Sequence, residues 1–405
     1  MLKKRLFGLT VLIVGIMMAF FLVGCGDDNL GDPSTPPGGS NGVTKVTINQ
    51  QTVALLQGST GHTFTATVEV VGDTPQTVIW SLDGSPKTGT SIVPGTGVLT
   101  VASIEGGSFR IKATSTEDSS KYDYAYVNVL TSVNGGTVPA GHEWTAAASY
   151  TGGYDLPYTL AAYKIGSAEI TYALWYDVYK WATDSARGAN RYTFYRSGRE
   201  GKNGTDGAVP SAAAMYHPVS NISWRDAIIW CNALSEKTGR TPLYYTDAAK
   251  TIISRTATNS AAGENDFNYL QYKKPGANGF GLPTEAEWEF AARGGSPSIE
   301  ASSPWRYIYA GSNTVGDVAW IDTNSGNTSH VIATKAPNSL NIYDMSGNAY
   351  EMVQDIDFWS PNYWIIQRGG SWYITEYQAR NSQRSDSLNT NDYNNELGFR
   401  IVSVE

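Results

Sequence analysis

The sequence predicts an all-β sandwich in its N-terminal part, followed by a larger α+β domain with few helices. Apolar and polar residues alternate with a period of two through residues 43–132, in short runs separated by Gly, Asp and Ser turns. Beyond residue 135, only a few runs place apolar residues three and four apart, and turn residues are dense. The first pattern is typical of antiparallel strands, and the second of short helices among loops.

Residues 1–25 have the pattern of an export signal. Met1-Leu2-Lys3-Lys4-Arg5 is basic, and an unbroken apolar run from Leu6 to Val23 follows, as in secretory signals. The run is nearly long enough to span a bilayer, so a retained transmembrane anchor is the alternative. Leu22-Val23-Gly24-Cys25 resembles the bacterial lipobox, in which signal peptidase cuts before the cysteine and the thiol carries diacylglycerol. We therefore predict lipidation at Cys25.

Residues 26–42 are predicted to form a flexible tether, because they are rich in Gly, Pro, Ser and Asp and show no apolar period. One lipid-modified cysteine can carry three acyl chains, which is enough for stable membrane attachment. We expect a lipid-anchored protein of the cell envelope. The lipid could lie in the inner or the outer membrane, and we favour exposure on the outer membrane.

Charge and cysteine content exclude several classes of function. The chain has 29 basic and 37 acidic residues, and loss of Lys3, Lys4 and Arg5 with the signal makes the remainder still more acidic. Nucleic acid is therefore not expected as a partner. Of the two cysteines, Cys25 belongs to the signal, so Cys231 is alone in the mature chain and no intramolecular disulfide can form.

Residues 43–132 are predicted to form the small sandwich, with Trp80 in its core. Val78-Ile79-Trp80-Ser81-Leu82 and Gly97-Val98-Leu99-Thr100, with the other short strands, resemble the bacterial Ig-like repeats of surface proteins. That resemblance implies a spacer or an adhesive module, and we favour the spacer.

Residues 135–405 carry the helices and several dense motifs. Ala173–Ala182 shows helical spacing, and Ser223 with Asp226 suits the start of a second helix that buries Cys231 as a structural thiol. Thr284 suits the start of a third helix, which Gly294 ends. The remaining motifs are His217–Trp224, Asn338–Met352, Arg368-Gly369-Gly370-Ser371-Trp372 and Leu397–Val402.

In order and spacing, these motifs closely resemble the formylglycine-generating enzyme family, also called the sulfatase-modifying factor domain. The resemblance covers residues 135–405. It implies the C-type-lectin-like fold of that family, with little regular structure, two helices and a twisted antiparallel sheet.

The resemblance also implies a copper-dependent oxidation of a protein cysteine to formylglycine, and this sequence departs from it there. The family holds copper with two cysteines in the segment after the Gly-Gly-Ser motif, because Cu(I) prefers sulfur ligands. The matching positions are near Ile374 and Ala379, and neither can bind copper. Relatives that use a non-haem iron need a histidine cluster, whereas the four histidines here (His62, His142, His217 and His330) are far apart in sequence. We therefore expect no copper, and we favour a protein that is not an enzyme.

A structural calcium ion is a further implication of the resemblance. In the family it is held around the Tyr-Asp-Met-x-Gly-Asn-x-x-Glu turn, and the matching positions are Asp344, the carbonyls of Gly347 and Ala349, and Glu351. Two carboxylates with backbone carbonyls suit a hard cation. The alternative is that Asp344 and Glu351 satisfy nearby amides without a metal.

The segment 373–396 is rich in Tyr, Ser, Asn, Asp, Thr and Arg, the composition of an adaptable recognition surface. It also resembles the variable region of the proteins diversified by retroelements, in which Asn codons change to Tyr, Ser, Asp, Thr or Ile. A solvated loop without a ligand is the alternative. The expected ligand-binding residues are Trp372, Tyr373, Ile374, Thr375, Tyr377, Asn381, Ser385, Asn389, Asn391 and Tyr393.

The function we favour is non-catalytic binding of a host or cell-surface protein or glycan through residues 373–396, on a surface-exposed lipoprotein. One alternative is an oxidase of the formylglycine-generating type that acts on a protein cysteine with another metal. Another is a structural lipoprotein of the envelope.

Overall fold

The computed structural model describes residues 41–138, 158–257, 270, 272–297, 303–359 and 362–404. The predicted signal, Cys25 and most of the predicted tether lie outside the described residues, as does His142. None of the helices in these ranges combines the length and the apolar character that crossing a membrane requires.

Strands outnumber helices throughout the described ranges. The α-helices are α1 (Tyr172–Ala182), α2 (Trp224–Lys237), α3 (Glu285–Ala292) and α4 (Val315–Val318), with short 3₁₀ helices at Ser185–Asn190 and Pro304–Arg306. The strands of the first part are β1 (Gly42–Ile48), β2 (Thr52–Leu56), β3 (Thr60–Thr63), β4 (Ala66–Val71), β5 (Val78–Asp83), β6 (Ser91–Ile92), β7 (Val98–Thr100), β8 (Ser108–Ser115) and β9 (Tyr122–Val133). The later strands are β10 (Gly136–Val138), β11 (Tyr158–Leu160), β12 (Tyr163–Gly166), β13 (Arg199–Glu200), β14 (Val219–Ser220), β15 (Phe280–Gly281), β16 (Tyr350–Trp359), β17 (Asn362–Arg368), β18 (Arg384–Asn389), β19 (Leu397–Gly398) and β20 (Val402–Val404).

The long strand β9 belongs to both halves of the chain. Its first half pairs antiparallel with β8, while its last residues, Leu130–Val133, pair antiparallel with β12. The resulting sheet runs in the order β15-β20-β12-β9-β8-β5, and β2 pairs in parallel with β9. Residues 41–405 accordingly form one compact unit. The domain boundary predicted at residues 132–135 falls at the end of β9 but does not separate two bodies.

The N-terminal strands enclose their own core. Trp80, Ile111 and Val127 are buried, while Arg110, Lys112 and Tyr124 on the same strands β8 and β9 point to the other face. This is the period-two pattern that the sequence predicts for strands with one buried face. Trp80 is therefore confirmed as a core residue, while the Ig-like identity of residues 43–132 stays a prediction.

Hydrogen bonds between distant residues fix the N-terminal strands to the rest of the unit. The Ser167 hydroxyl accepts from Gly107 N at 2.8 Å, and the hydroxyls of Ser108 and Thr171 lie 2.6 Å apart. The Tyr343 hydroxyl donates to the Ile104 carbonyl oxygen at 2.7 Å. Because several such bonds are buried, they resist relative motion of the two parts.

The main core of the C-terminal part lies between α1 and α2. Trp175 and Trp230 stack with centroids 5.7 Å apart and planes 5° from parallel, and Phe399 meets Trp230 edge-on at 5.4 Å. Cys231 is fully buried in this core, as the sequence predicts. Burial raises the pKa of its thiol far above the usual value, so the group stays protonated and unreactive.

Local sequence signals set the helix ends. Ser223 and Asp226 form a reciprocal capping box at the start of α2, and Thr284 and Glu287 form another at the start of α3. Both starting residues are confirmed as predicted. The architecture as a whole is mostly β with few helices, which confirms the coarse fold class.

Candidate functional site

The framework of the predicted site is centred on a buried arginine. Arg400 Nε donates to Glu351 Oε2 at 2.6 Å, and Arg400 Nη2 donates to Glu351 Oε1 at 2.5 Å. Neither side chain is exposed to solvent. Burial alone would lower the pKa of Arg400, but its pairing with Glu351 raises that pKa above the usual value. The guanidinium therefore remains charged and holds β16 against the end of β19.

The turn before β16 requires unusual backbone conformations. Asp344, Gly347 and Asn348 all have positive φ, at 56°, 76° and 61°. A Cβ at Gly347 would lie 2.3 Å from the Trp320 carbonyl oxygen, so only glycine fits there. The Asn348 side chain donates to Glu169 Oε2 at 2.7 Å and accepts from His330 N at 2.9 Å. The Gly-Asn pair of the motif is thus explained by close packing.

The predicted calcium ligands lie together at this turn, but they already have protein partners. Asp344 Oδ2 accepts from Ala333 N at 2.6 Å, while Glu351 Oε2 accepts from Trp288 Nε1 at 2.7 Å as well as from Arg400. Burial raises the pKa of Asp344 to about 6. Arg400 already neutralises the charge of Glu351, so this turn does not need a cation at Glu351 for charge balance. The calcium site, including the Gly347 and Ala349 carbonyls, stays a prediction.

A second buried arginine fixes the start of the polar segment. Arg368 Nη2 donates to Glu289 Oε2 at 2.6 Å and to the Asn381 carbonyl oxygen at 2.7 Å, and Nη1 donates to the Gln383 carbonyl oxygen at 2.8 Å. A Cβ at Gly370 would lie 2.9 Å from the carbonyl oxygen of Gln378, so glycine also permits the close return of this segment. The segment 373–396 is therefore held at its base.

Three tyrosines of the segment project into solvent. Tyr373, Tyr377 and Tyr393 are 61%, 48% and 38% exposed. Thr375 is also exposed, and Ile374, Ser385, Asn389 and Asn391 are half-buried. We call the exposed group of Tyr373, Thr375, Tyr377 and Tyr393 the tyrosine face.

Two predicted ligand-binding residues lie in the interior. Trp372 is buried, and its carbonyl oxygen accepts from the Ser325 hydroxyl at 2.7 Å. Asn381 is buried as well, with its side-chain amide donating to the Tyr307 carbonyl oxygen at 3.0 Å. Both residues are engaged in internal bonds and cannot contact a ligand, so they support the surface from below.

The structure places further residues beside the tyrosine face that the sequence did not suggest. Tyr195 packs edge-on against Tyr393 with ring centroids 5.8 Å apart, and the Arg196 guanidinium lies 4.0 Å from the Tyr393 centroid. Arg380 lies 4.7 Å from the Tyr377 ring. Guanidinium groups over aromatic rings are attractive contacts that restrict ring motion. The clustering of Tyr and Arg at residues 192–199 is the only sequence signal that could have indicated this part of the surface.

The positions that correspond to the copper cysteines are apolar and packed. Ala379 is fully buried in a small cluster with Tyr309, Val318, Ala319 and Ile321, and Ile374 packs against that cluster. No sulfur atom is present at either position, so these residues do not fit copper. Cys231 lies on α2 in a different core and cannot supply the missing ligand.

Two histidines that are distant in sequence are neighbours in the structure. His217 Nδ1 lies 3.0 Å from the Ser329 hydroxyl, and His330 Nε2 lies 2.7 Å from the Ser325 carbonyl oxygen. Burial, together with the charge of His330, lowers the pKa of His217 to about 4. Across the described part of the chain, no group of three or more His, Cys, Asp or Glu side chains is placed to hold a metal ion.

Comparison with known proteins identifies the family. The profile of the sulfatase-modifying factor enzyme 1-like domain matches residues 103–404. The match begins before β8, inside the segment that the sequence assigned to the N-terminal sandwich. Strands β8 and β9 belong to the same sheet as β12, which agrees with a domain that begins before β8.

Individual relatives agree with the profile. The chain is 29% identical over 289 residues to a chaperone protein, LppX, of Paenibacillus barcinonensis, covering 65% of this chain and 87% of the relative. It is 29% identical over 157 residues to the formylglycine-generating enzyme of Streptomyces coelicolor, covering 30% of this chain and 46% of that enzyme. The crystal structure of CarF superposes with a TM-score of 0.55 at 26% identity, covering 69% of this chain and 98% of CarF. With a C-type-lectin-like domain of the formylglycine-generating type, this chain belongs to the family of sulfatase-modifying factor enzyme 1-like domains.

Proposed function

We propose that this protein binds a protein or glycan ligand through the tyrosine face and performs no catalysis. One observation carries the proposal: where the resemblance places a copper-binding sulfur pair, this chain has Ile374 and Ala379 in apolar packing. Next to them, Tyr373 and Tyr377 project into solvent. The same framework therefore presents a contact surface in place of a redox centre.

The tyrosine face has the properties of a binding surface. Tyrosine offers a large, rigid and amphipathic contact area and loses little conformational entropy on binding. Arg196 stacks on Tyr393, and Arg380 stacks on Tyr377. These contacts restrict the two tyrosine side chains before a ligand binds, so part of their conformational entropy is already lost. The buried Arg368 holds the backbone beneath. Preorganisation of this kind increases affinity because less ordering remains to be done on binding.

A protein is the ligand class we favour over a glycan. A relative that aligns over 87% of its own length carries the name of a chaperone, which implies a protein partner for that relative. Exposed tyrosines and arginines are also the residues that dominate protein–protein contacts. We expect the partner to be a host or cell-surface protein.

The predicted lipid on Cys25 would place this surface at the cell envelope, exposed on the outer membrane. Residues 43–132 would act as the spacer between membrane and binding surface. Because β9 runs through both parts, the spacer and the tyrosine face would keep a fixed relative orientation. A ligand would then be presented at a constant distance from the last residue of the tether.

Arrays of host proteins and glycans, probed with the purified protein, test this proposal. The variant Tyr373→Ala/Tyr377→Ala/Tyr393→Ala should lose at least about 2 kcal/mol of binding free energy, roughly thirty-fold in Kd. Tyr122→Ala is the matched control, because Tyr122 is 46% exposed at the start of β9 and is not part of the segment 373–396. Equal binding by the triple variant and the control would remove the tyrosine face from the function. Absence of any ligand would favour the structural-lipoprotein alternative.

The oxidase alternative has its own test. Copper titration, followed by incubation with a cysteine-containing peptide and oxygen, should give no aldehyde on the peptide. Mass spectrometry detects the conversion of the thiol to the aldehyde directly. Formation of formylglycine by the purified protein would overturn the proposal in favour of catalysis with a different metal site.

A further inference from the structure

A cleft beside the C-terminal end of α2 is not used by the proposed function. It has a volume of about 760 Å³ and lies between residues 47–55 of the N-terminal strands and the C-terminal end of α2. Small-molecule sites in proteins have this size and often lie between structural units. The residues that line it and matter for ligand binding are Gln50, Gln51, Trp181 and Arg240.

The walls of the cleft are fixed to each other. Asp177 Oδ2 accepts from the Thr52 hydroxyl at 2.7 Å and from Lys237 Nζ at 2.7 Å, so one carboxylate ties β2 to both helices. Lys237 is nearly buried in this arrangement. Its charge is thus already neutralised by Asp177, and the cleft keeps its shape without a ligand.

One cation in the cleft has no acidic partner in the described part of the chain. Arg240 donates from Nη1 to the Asn278 carbonyl oxygen at 3.1 Å and lies 4.6 Å from the Phe280 ring centroid. Among the described residues it forms no ion pair, and the cleft lining contains no Asp or Glu. Arg240 is half-buried, and burial lowers the pKa of its guanidinium. A half-buried, unpaired guanidinium is suited to a carboxylate or phosphate group.

The remaining lining suits a hydroxylated ligand. Gln50 and Gln51 line the cleft and are exposed, so their side-chain amides are accessible to a ligand. Each amide offers both a donor and an acceptor, and a ligand hydroxyl can bond to either.

An aromatic wall completes the site. Trp181 lines the cleft, and the Arg187 guanidinium stacks 3.6 Å from its ring centroid. The stacked guanidinium restricts the indole to one orientation. A rigid indole offers an apolar surface to the C–H groups of a sugar ring.

From these features we infer that the cleft binds an anionic sugar, with the acidic group at Arg240, hydroxyls at the amides of Gln50 and Gln51, and the ring against Trp181. The site is separate from the tyrosine face and does not depend on it.

Calorimetric titration of the purified full chain tests the inference with D-glucuronate and D-glucose 6-phosphate as probes. At least one of these two acidic sugars should bind. D-glucose, which has no acidic group, and inorganic phosphate, which has no sugar ring, should each bind at least about ten-fold more weakly. A uronate oligomer in a separate titration distinguishes a free sugar acid from the end of an anionic glycan. Failure of both acidic sugars and of the oligomer to bind would overturn the inference.

Arg240→Gln should weaken the binding of the acidic probe at least about ten-fold. Lys112→Gln is the matched control, because Lys112 contacts Tyr122 and Tyr124 on the outer face of β8 and β9 and lies outside the cleft. Trp181→Phe, which keeps the aromatic wall, should bind more weakly than the wild type but retain its fold by circular dichroism. If Arg240→Gln and Lys112→Gln both bind as the wild type does, the assignment is wrong.

Discussion

Arg400 and Glu351 form a two-point ion pair that is fully withdrawn from solvent, with N–O distances of 2.6 Å and 2.5 Å. Arg400 also donates to the carbonyl oxygens of Gly166 and Tyr343, so the pair joins β12, the turn at residues 343–348 and β16. The Asn348 carbonyl oxygen accepts from Trp372 N, so the turn supports the start of the segment 373–396, while β12 belongs to the sheet that includes β9. The tyrosine face is thereby coupled to the central sheet.

Glu351→Gln should lower the free energy of unfolding by about 3–5 kcal/mol, because it leaves a buried guanidinium without its counter-charge. Urea denaturation of the variant and the wild type measures the difference. Glu69→Gln is the control, because Glu69 and Lys45 are 4.0 Å apart and their side chains are 59% and 63% exposed. This substitution should change the free energy of unfolding by less than about 0.5 kcal/mol. A loss below about 1 kcal/mol for Glu351→Gln would contradict the buried pair.

Removal of divalent cations distinguishes the ion pair from the predicted calcium site. With Glu351 bonded to Arg400 and Trp288, we expect EDTA treatment to leave the melting temperature unchanged. A protein that needed calcium to hold this turn would be stabilised by added CaCl2 through mass action. A fall in melting temperature on chelation, reversed by calcium but not by magnesium, would assign Asp344 and Glu351 to the ion.

Acid should destabilise the protein through His217. Its folded pKa is about 4, below the usual 6.5, because burial disfavours the charged form. The unfolded chain therefore binds the proton first, so the contribution of His217 is complete above pH 6.5 and is lost as pH falls towards 4. His217→Gln should reduce the fall in unfolding free energy across this window by about 2 kcal/mol. Denaturation curves at several pH values measure it, and parallel profiles for the two proteins would refute the assignment.

The sequence predicted best what depends on residues close together in the chain. The capping pairs Ser223 with Asp226 and Thr284 with Glu287 are three residues apart, so their spacing alone specifies the bond. The burial of Cys231 followed from helical periodicity in the same way. Strands with one buried face were likewise visible from alternation.

What the sequence did not predict depends on contacts between distant segments. Nothing local in Tyr122–Val133 shows that its last four residues pair with β12, so the continuous sheet was missed. Trp372 and Asn381 were expected to bind a ligand because they lie at the start of the polar segment or within it, whereas Ser325 and Tyr307, far away in sequence, bond to them in the interior. Tyr195 and Tyr393 are far apart in sequence, and only the folding of the chain brings their rings into contact.

Arg368→Lys should loosen the base of the tyrosine face without altering its tyrosines. Lysine cannot reproduce the bonds that Arg368 donates to Glu289 and to the carbonyl oxygens of Asn381 and Gln383. Amide hydrogen exchange in β18 should then be at least about ten-fold faster, and ligand affinity should fall with it. Arg110→Lys, which changes a guanidinium paired with Asp83 in the N-terminal strands, should leave β18 unaffected. Unchanged exchange in β18 for Arg368→Lys would show that the segment is held by other contacts.

If the chain is diversified by a retroelement, variation should follow exposure. Tyr373, Tyr377 and Tyr393 can change without disturbing the interior because their rings project into solvent. Asn381 should stay constant, since its side chain donates to the Tyr307 carbonyl oxygen and a change would leave that buried group unpaired. Sequencing the locus in many isolates measures this, together with a search beside it for a reverse transcriptase gene and a near-copy of its 3′ end. A uniform 3′ end, with neither a reverse transcriptase gene nor a near-copy beside it, would reject diversification. Substitution at Asn381 as frequent as at Tyr373 would reject a structural role for the buried Asn381 amide.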